Sequence, residues 1–104
     1  FRNEIKTGKA QILCELENGK TEKYNIEIQK IFYNNNENNK SMFIKVTDER
    51  LLEKTGGIIQ GMSGAPIIQN DKFIGAVTHV LVNDPTAGYA VFADIMIQQL
   101  KEAN

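Results

Sequence analysis

Apolar and polar residues alternate over three stretches in the first half of the chain, which is the pattern of β-strands that bury one face. The alternation covers residues 10–16, resumes after Asn18-Gly19 and returns after a polar loop at 34–39. Its apolar positions are Ile12, Cys14, Leu16, Tyr24, Ile26, Ile28, Met42, Ile44 and Val46. Because Asn-Gly favours a tight turn, the first two stretches are expected to form an antiparallel hairpin.

The second half of the chain predicts further strands and short helices. Residues 66–69 and 73–82 are expected to be strands joined at Asn70-Asp71, and a turn at 83–88 leads to a last strand at 89–93. One helix is expected over 49–54 with Asp48 as N-cap, and another from Asp94 onwards. The pattern therefore predicts a mainly β fold, an antiparallel barrel or sandwich with a short C-terminal α-helix.

Composition narrows the choice of partners. The chain has 104 residues, which fits one small domain, and its 12 Lys+Arg nearly balance 13 Asp+Glu. This balance argues against nucleic acid or an anionic membrane as the main partner. With one Cys and one His, the chain has no credible Cys/His metal cage and no intrachain disulfide. We therefore expect no cofactor and no metal, and a buried, inert Cys14.

Glycines cluster around Ser63, at positions 56, 57, 61 and 64. A serine between glycines can occupy a strained turn in which its hydroxyl is exposed and neighbouring N–H groups converge, as an oxyanion hole requires. Taken alone, such a cluster is more often only a loop.

Two longer runs make the pattern more specific. Residues 55–70 read TGGIIQGMSGAPIIQN, and residues 76–86 read AVTHVLVNDPT. The order of these runs resembles the nucleophile region of chymotrypsin-like serine proteases, and most of residues 9–100 resembles the SpoIVB (stage IV sporulation protein B) peptidase family. The resemblance implies a chymotrypsin-like half-barrel in a serine endopeptidase of the sporulation signalling pathway. Such an enzyme is secreted across the forespore membrane into the intermembrane space. There it cleaves a membrane-associated regulator of an intramembrane protease, which triggers activation of a sigma factor.

The resemblance also implies roles for individual residues. Ser63 would be the nucleophile, and the N–H groups of Gly61 and Ser63 would form the oxyanion hole, where each donor contributes about 2.7–4 kcal/mol. Thr78, His79 and Val80 would bind the substrate backbone as an added strand. Asp48, fifteen residues before Ser63, would be the catalytic acid, although the residues alone support a helix N-cap equally well.

The catalytic base has no counterpart in these residues, because the family places its histidine upstream in a Gly-His-Gly segment. We therefore expect residues 1–104 to be the C-terminal portion of one peptidase domain, lacking the upstream half and inactive alone. The alternative makes His79, the only histidine, the base of an Asp48, Ser63 and His79 triad. The preferred interpretation is a strand histidine partly buried beside the site.

Three positions qualify the resemblance. Met62 stands where chymotrypsin has an aspartate that pairs with a freed amino terminus, so it is expected to pack as an apolar plug. Gly57, six residues before Ser63, provides no charge that would select Lys or Arg. Asp84 is expected to form a turn rather than a substrate loop.

Two other functions remain open at this point. One is a non-catalytic β-barrel module that binds a peptide along residues 73–82. The other is an inactive fragment that forms homo-oligomers through its exposed half-barrel surface.

Overall fold

The fold is a closed barrel of six antiparallel strands with one short helix. The computed structural model describes residues 4–17, 19–32, 41–57, 62–81 and 83–94. The elements are β1 (Gly8–Glu17), β2 (Lys20–Ile31), β3 (Met42–Val46), α1 (Glu49–Thr55), β4 (Pro66–Gln69), β5 (Lys72–Val80) and β6 (Ala87–Phe92). The strands follow one another around the barrel in the order β1-β2-β3-β6-β5-β4, and β4 closes it against β1. This confirms the mainly β, antiparallel barrel predicted from the alternation.

The alternating apolar positions form the barrel interior. Tyr24, Ile26 and Ile28 are each 1% exposed on β2, and the β3 residues Met42 and Ile44 are fully buried. Removing apolar surface from water stabilises this core by roughly 25 cal/mol per Å².

Tight turns join β1 to β2 and β4 to β5, as the dipeptides Asn18-Gly19 and Asn70-Asp71 predict. Glu17 pairs with Lys20 across the first turn, where Gly19 has a φ of 69°. In the second, Asn70 and Asp71 have φ values of 53° and 63°. Positive φ at both central residues defines the type I′ turn, whose twist matches that of the flanking strands.

Helix α1 has the predicted cap. The Asp48 side chain accepts a hydrogen bond from the Arg50 N–H at 2.9 Å, which satisfies one of the amides that a helix start leaves unpaired. At the other end Gly56, with a φ of 77°, donates its N–H to Leu52 O at 2.8 Å.

Some predicted boundaries are wrong by one or two residues. Strand β5 ends at Val80 rather than 82, and β6 covers Ala87–Phe92 rather than 89–93. The turn is shorter than expected because the Ala87 N–H bonds to Asp84 O and the Leu81 N–H bonds to Ala87 O. Of the helix predicted from Asp94 onwards, only Asp94 is described; it is helical, and so is Ala93, which the sequence pattern predicts as the end of the last strand. The rest of that helix and the 34–39 loop lie outside the described residues.

Cys14 is half-buried rather than buried. Burial, reinforced by the nearby Glu22 carboxylate, raises the pKa of its thiol. Since the thiolate is the reactive form, the raised pKa agrees with the inert cysteine expected from the sequence. In the described part of the chain, no helix has the length and apolar character needed to cross a membrane.

Candidate functional site

Ser63 is exposed in a turn that leads into β4. Its neighbour Met62 is 3% exposed and packs into the core, as the apolar-plug interpretation predicts. On the other side Gly64, with a φ of 92°, donates its N–H to Val77 O on β5 at 2.7 Å. The turn is therefore fixed on both sides of a serine whose side chain faces solvent.

The backbone after Ser63 continues this attachment to β5. The Val77 N–H bonds to Ala65 O at 3.0 Å, and the Ala65 N–H bonds back to Met62 O at 2.9 Å. Pro66 then pairs with Ala76 in the β4–β5 ladder. The two sequence runs that carry the resemblance are thus adjacent in the fold.

Within the described residues, neither the hydroxyl nor the N–H of Ser63 has a hydrogen-bond partner. In this part of the chain nothing engages either group, which is what a nucleophile and an oxyanion-hole donor need. Gly61, the second predicted donor, lies outside the described residues. Its role, like that of Ser63, stays a prediction.

The predicted substrate segment, Thr78 to Val80, extends beyond the start of β4. On one side of β5, His79 pairs with Tyr89 and Val80 with Gly88 of β6. On the other side, the ladder with β4 ends at Pro66 and Ala76. A peptide strand placed next to residues 78–80 would continue the sheet where β4 stops, which is the geometry of strand addition.

His79 is exposed, so the expectation of a partly buried histidine is wrong. The register of β5 against β6 shifts between Val77 and His79, and a bulge of this kind redirects side chains. The His79 Nδ1 lies 2.9 Å from the Thr78 hydroxyl, which itself lies 3.3 Å from Tyr89 O. Among the described residues, Thr78 rather than Ser63 is the side-chain partner of this ring.

Asp48 is 6% exposed, and both of its oxygens accept hydrogen bonds. Oδ1 accepts from the Arg50 N–H at 2.9 Å, and Oδ2 accepts from the Asn25 N–H on β2 at 3.0 Å. The Arg50 guanidinium adds contacts of 3.3 Å to each oxygen. Burial alone would raise the pKa of Asp48, but the hydrogen bonds from Arg50 and Asn25 outweigh it and hold the pKa below its usual value.

The structure therefore confirms the N-cap interpretation of Asp48. In the barrel order, Asp48 follows β3 and bonds to β2, whereas Ser63 precedes β4 and its turn bonds to β5. The β2–β3 and β4–β5 boundaries lie on opposite sides of the six-stranded ring. None of the hydrogen bonds among the described residues joins Asp48 to Ser63, and the role of Asp48 as catalytic acid stays a prediction.

The sequence did not reveal the contact between Gly57 and the turn before β6. A Cβ atom built on Gly57 would lie 2.3 Å from Pro85 O. Both residues stood in the runs that carry the resemblance, but nothing in their spacing indicates that the two backbones touch. Asp84 forms the predicted turn, since its Oδ1 accepts the Thr86 N–H at 3.1 Å.

Clusters of three or more His, Cys, Asp or Glu side chains able to hold a metal ion do not occur among the described residues.

A closed antiparallel barrel and an exposed serine next to a glycine also occur in chymotrypsin-type proteases, so the fold is compatible with a peptidase. The comparison with protein families makes the assignment specific: the chain belongs to the SpoIVB peptidase S55 family, whose model matches residues 1–97 of its 104. Searches of curated proteins and of solved structures found no significant match.

Proposed function

We propose that this chain carries the nucleophile and the substrate-binding strand of a serine endopeptidase. The observation that carries the proposal is the turn at Ser63, where an exposed serine without described hydrogen-bond partners is held between a buried Met62 and a Gly64 bonded to β5. Membership of a peptidase family supports the same reaction class.

The proposed reaction begins when Ser63 Oγ attacks the carbonyl carbon of the scissile peptide bond. A histidine upstream of these residues takes the hydroxyl proton, while the N–H groups of Ser63 and Gly61 bind the oxyanion. When the intermediate collapses, the histidine gives the proton to the leaving amine and an acyl-enzyme remains on Ser63. Water, deprotonated by the same histidine, then releases the second product and restores the serine.

The proposed substrate is a protein, bound in extended form next to residues 78–80. Its backbone would take the place beside β5 that β4 leaves open at Pro66. The family resemblance supports a membrane-associated regulator of an intramembrane protease as this substrate. It also supports cleavage after secretion into the space between the forespore and mother-cell membranes, as a step in sigma factor activation.

The first test compares variants of the natural full-length protein for cleavage of that regulator. Ser63→Ala is expected to reduce the rate of cleavage at least about 1,000-fold, because no other group can form the acyl-enzyme. Thr21→Ala, which removes an exposed hydroxyl group from β2, serves as the matched control. Unchanged cleavage by Ser63→Ala would contradict the proposal.

The same assay decides which histidine is the base. If the base is the upstream histidine, His79→Ala should keep an active nucleophile. It should change mainly KM, because His79 lies next to the place proposed for the substrate strand. The bond from His79 Nδ1 to Thr78 favours this assignment. A fall in kcat comparable to that of Ser63→Ala would instead make His79 the base.

A peptide-binding module is the second candidate. One observation favours it: among the described residues no base contacts Ser63, and Asp48 is already engaged at the helix cap. A binding module predicts that the full-length protein binds the regulator without cutting it and that Ser63→Ala binds equally well. Cleavage that depends on Ser63 would eliminate this candidate.

A further inference from the structure

We infer that Gly57 is a positioning residue for the nucleophile, because its backbone is held against Pro85 six residues before Ser63. This inference rests on the proposed role of Ser63. It adds a residue that does not touch the substrate but sets where the serine stands relative to the substrate strand.

The contact leaves no room for a side chain at position 57. A Cβ atom on Gly57 would lie 2.3 Å from Pro85 O, 2.6 Å from Pro85 C and 2.9 Å from Thr86 N. All of these atoms belong to the backbone, so no flexible side chain can move aside. The φ of Gly57, 142°, is also one that other residues rarely adopt.

Both partners in this contact are held by the surrounding structure. On the Gly57 side, Thr55 Oγ1 lies 2.9 Å from Leu51 O in α1, accepts the Gly57 N–H at 3.2 Å and contacts Gly57 O. On the Pro85 side, the Val46 N–H of β3 bonds to Thr86 O at 2.7 Å. The Ala87 N–H bonds to Asp84 O at 3.0 Å, which closes the turn around Pro85.

Described residues on both sides of Ser63 therefore contact the β5–β6 hairpin. Upstream, Gly57 meets the turn of that hairpin, and downstream, Gly64 bonds to Val77 on β5. The same hairpin carries residues 78–80. Displacing either attachment would move Ser63 relative to bound substrate, and a displacement of 1 Å can slow a reaction about 100-fold.

Gly8 provides a matched control for the test. Its φ is 118°, which makes alanine strained there too, but a Cβ atom would meet nothing within 4 Å. Gly57→Ala and Gly8→Ala in the full-length protein thus share backbone strain, and only Gly57→Ala also pushes against the Pro85 backbone.

The measurements are the rate constant for fluorophosphonate labelling of Ser63, kcat and KM for cleavage, and the Tm. Gly57→Ala is expected to lower the labelling rate and kcat about 10- to 100-fold, with little change in KM. Gly8→Ala is expected to label at the wild-type rate. Equal labelling of folded Gly57→Ala and Gly8→Ala would overturn the inference.

If Gly57→Ala does not fold, Pro85→Gly decides the question. This change loosens the turn from the other side without adding an atom at the contact, and it is expected to lower kcat more than it raises KM. Wild-type kcat in Pro85→Gly would then overturn the inference. A wild-type protein that does not label at Ser63 would instead overturn the proposed function.

Discussion

Asp48 and Ser63 differ in how many hydrogen bonds their polar groups form with the described residues. The Asp48 carboxylate accepts N–H groups from β2 and from the first turn of α1, whereas Ser63 has no described partner. A satisfied buried carboxylate contributes to stability, and an exposed hydroxyl that no described group engages suits the proposed nucleophile. The sequence predicts both the cap and the exposed serine, because each depends on its nearest neighbours. It does not reveal the Asn25 contact, which joins residues 23 positions apart.

Replacing Asp48 by Ala should lower the free energy of unfolding by about 0.5–2 kcal/mol, because the cap is lost. The pKa of Asp48 is depressed in the folded protein, so its stabilising effect is complete above the ordinary carboxyl pKa near 4. The effect is lost as the pH falls through the lower folded pKa. Urea unfolding of both proteins from pH 7 downwards measures the difference.

Glu49→Ala, which changes an exposed acid in the same helical turn, is the control for this experiment. A wild-type protein and an Asp48→Ala variant with equal stability at pH 7 would contradict the assignment of Asp48 as a structural cap.

At the scale of elements, the positions of the strands and turns are determined by neighbouring residues in the sequence, but the pairing of the strands is not. The alternation predicts β1 to β3, and Asn70-Asp71 predicts the turn between β4 and β5, because side-chain period and turn geometry are properties of adjacent residues. The closure of β1 on β4 and the shift between β5 and β6 depend on distant partners. For the same reason the end of β5, the exposure of His79 and the contact of Gly57 with Pro85 could not be predicted.

Gly75 is the residue on which the close pairing of β5 and β6 depends. A Cβ atom there would lie 2.1 Å from Val91 O and 2.9 Å from the Met42 methyl carbon. We expect Gly75→Ala to destabilise the protein by about 1–3 kcal/mol, because the Val91 carbonyl belongs to the neighbouring strand and cannot move without disturbing the ladder. Thermal unfolding followed by circular dichroism measures this loss.

A second variant separates the two clashes at Gly75. Met42→Ala removes the side-chain clash and leaves the one with the Val91 carbonyl, so Gly75→Ala should remain destabilising in a Met42→Ala background. If Met42→Ala fully restored the stability lost in Gly75→Ala, or if Gly75→Ala alone left the Tm unchanged, the contact with the Val91 carbonyl would not be what excludes a side chain at position 75.

The whole molecule is a barrel whose six strands form a closed ring in the described part of the chain. Closure pairs most of the strand edges through which β proteins readily associate, although β5 keeps an edge at residues 78–80 where β4 stops. The homo-oligomer expected of a fragment could also form through side chains on the outer surface. Among the described residues, Phe73 is the large hydrophobic residue that is exposed, at 41%.

We propose that the isolated chain self-associates through the outer surface that carries Phe73. Sedimentation at increasing protein concentration is expected to show dimers or larger species, and Phe73→Ser is expected to shift them towards monomers. A wild-type chain that stays monomeric at every concentration would contradict self-association.

The central claim is that Ser63 is a nucleophile whose base lies outside residues 1–104. Treatment of the natural full-length protein and of the 104-residue chain with a fluorophosphonate, followed by mass spectrometry of the modified peptide, tests this claim most directly. We predict an adduct on Ser63 in the full-length protein and none in the isolated chain. A full-length protein left unmodified at Ser63 would contradict the nucleophile, and rapid labelling of the isolated chain that His79→Ala abolishes would contradict the external base.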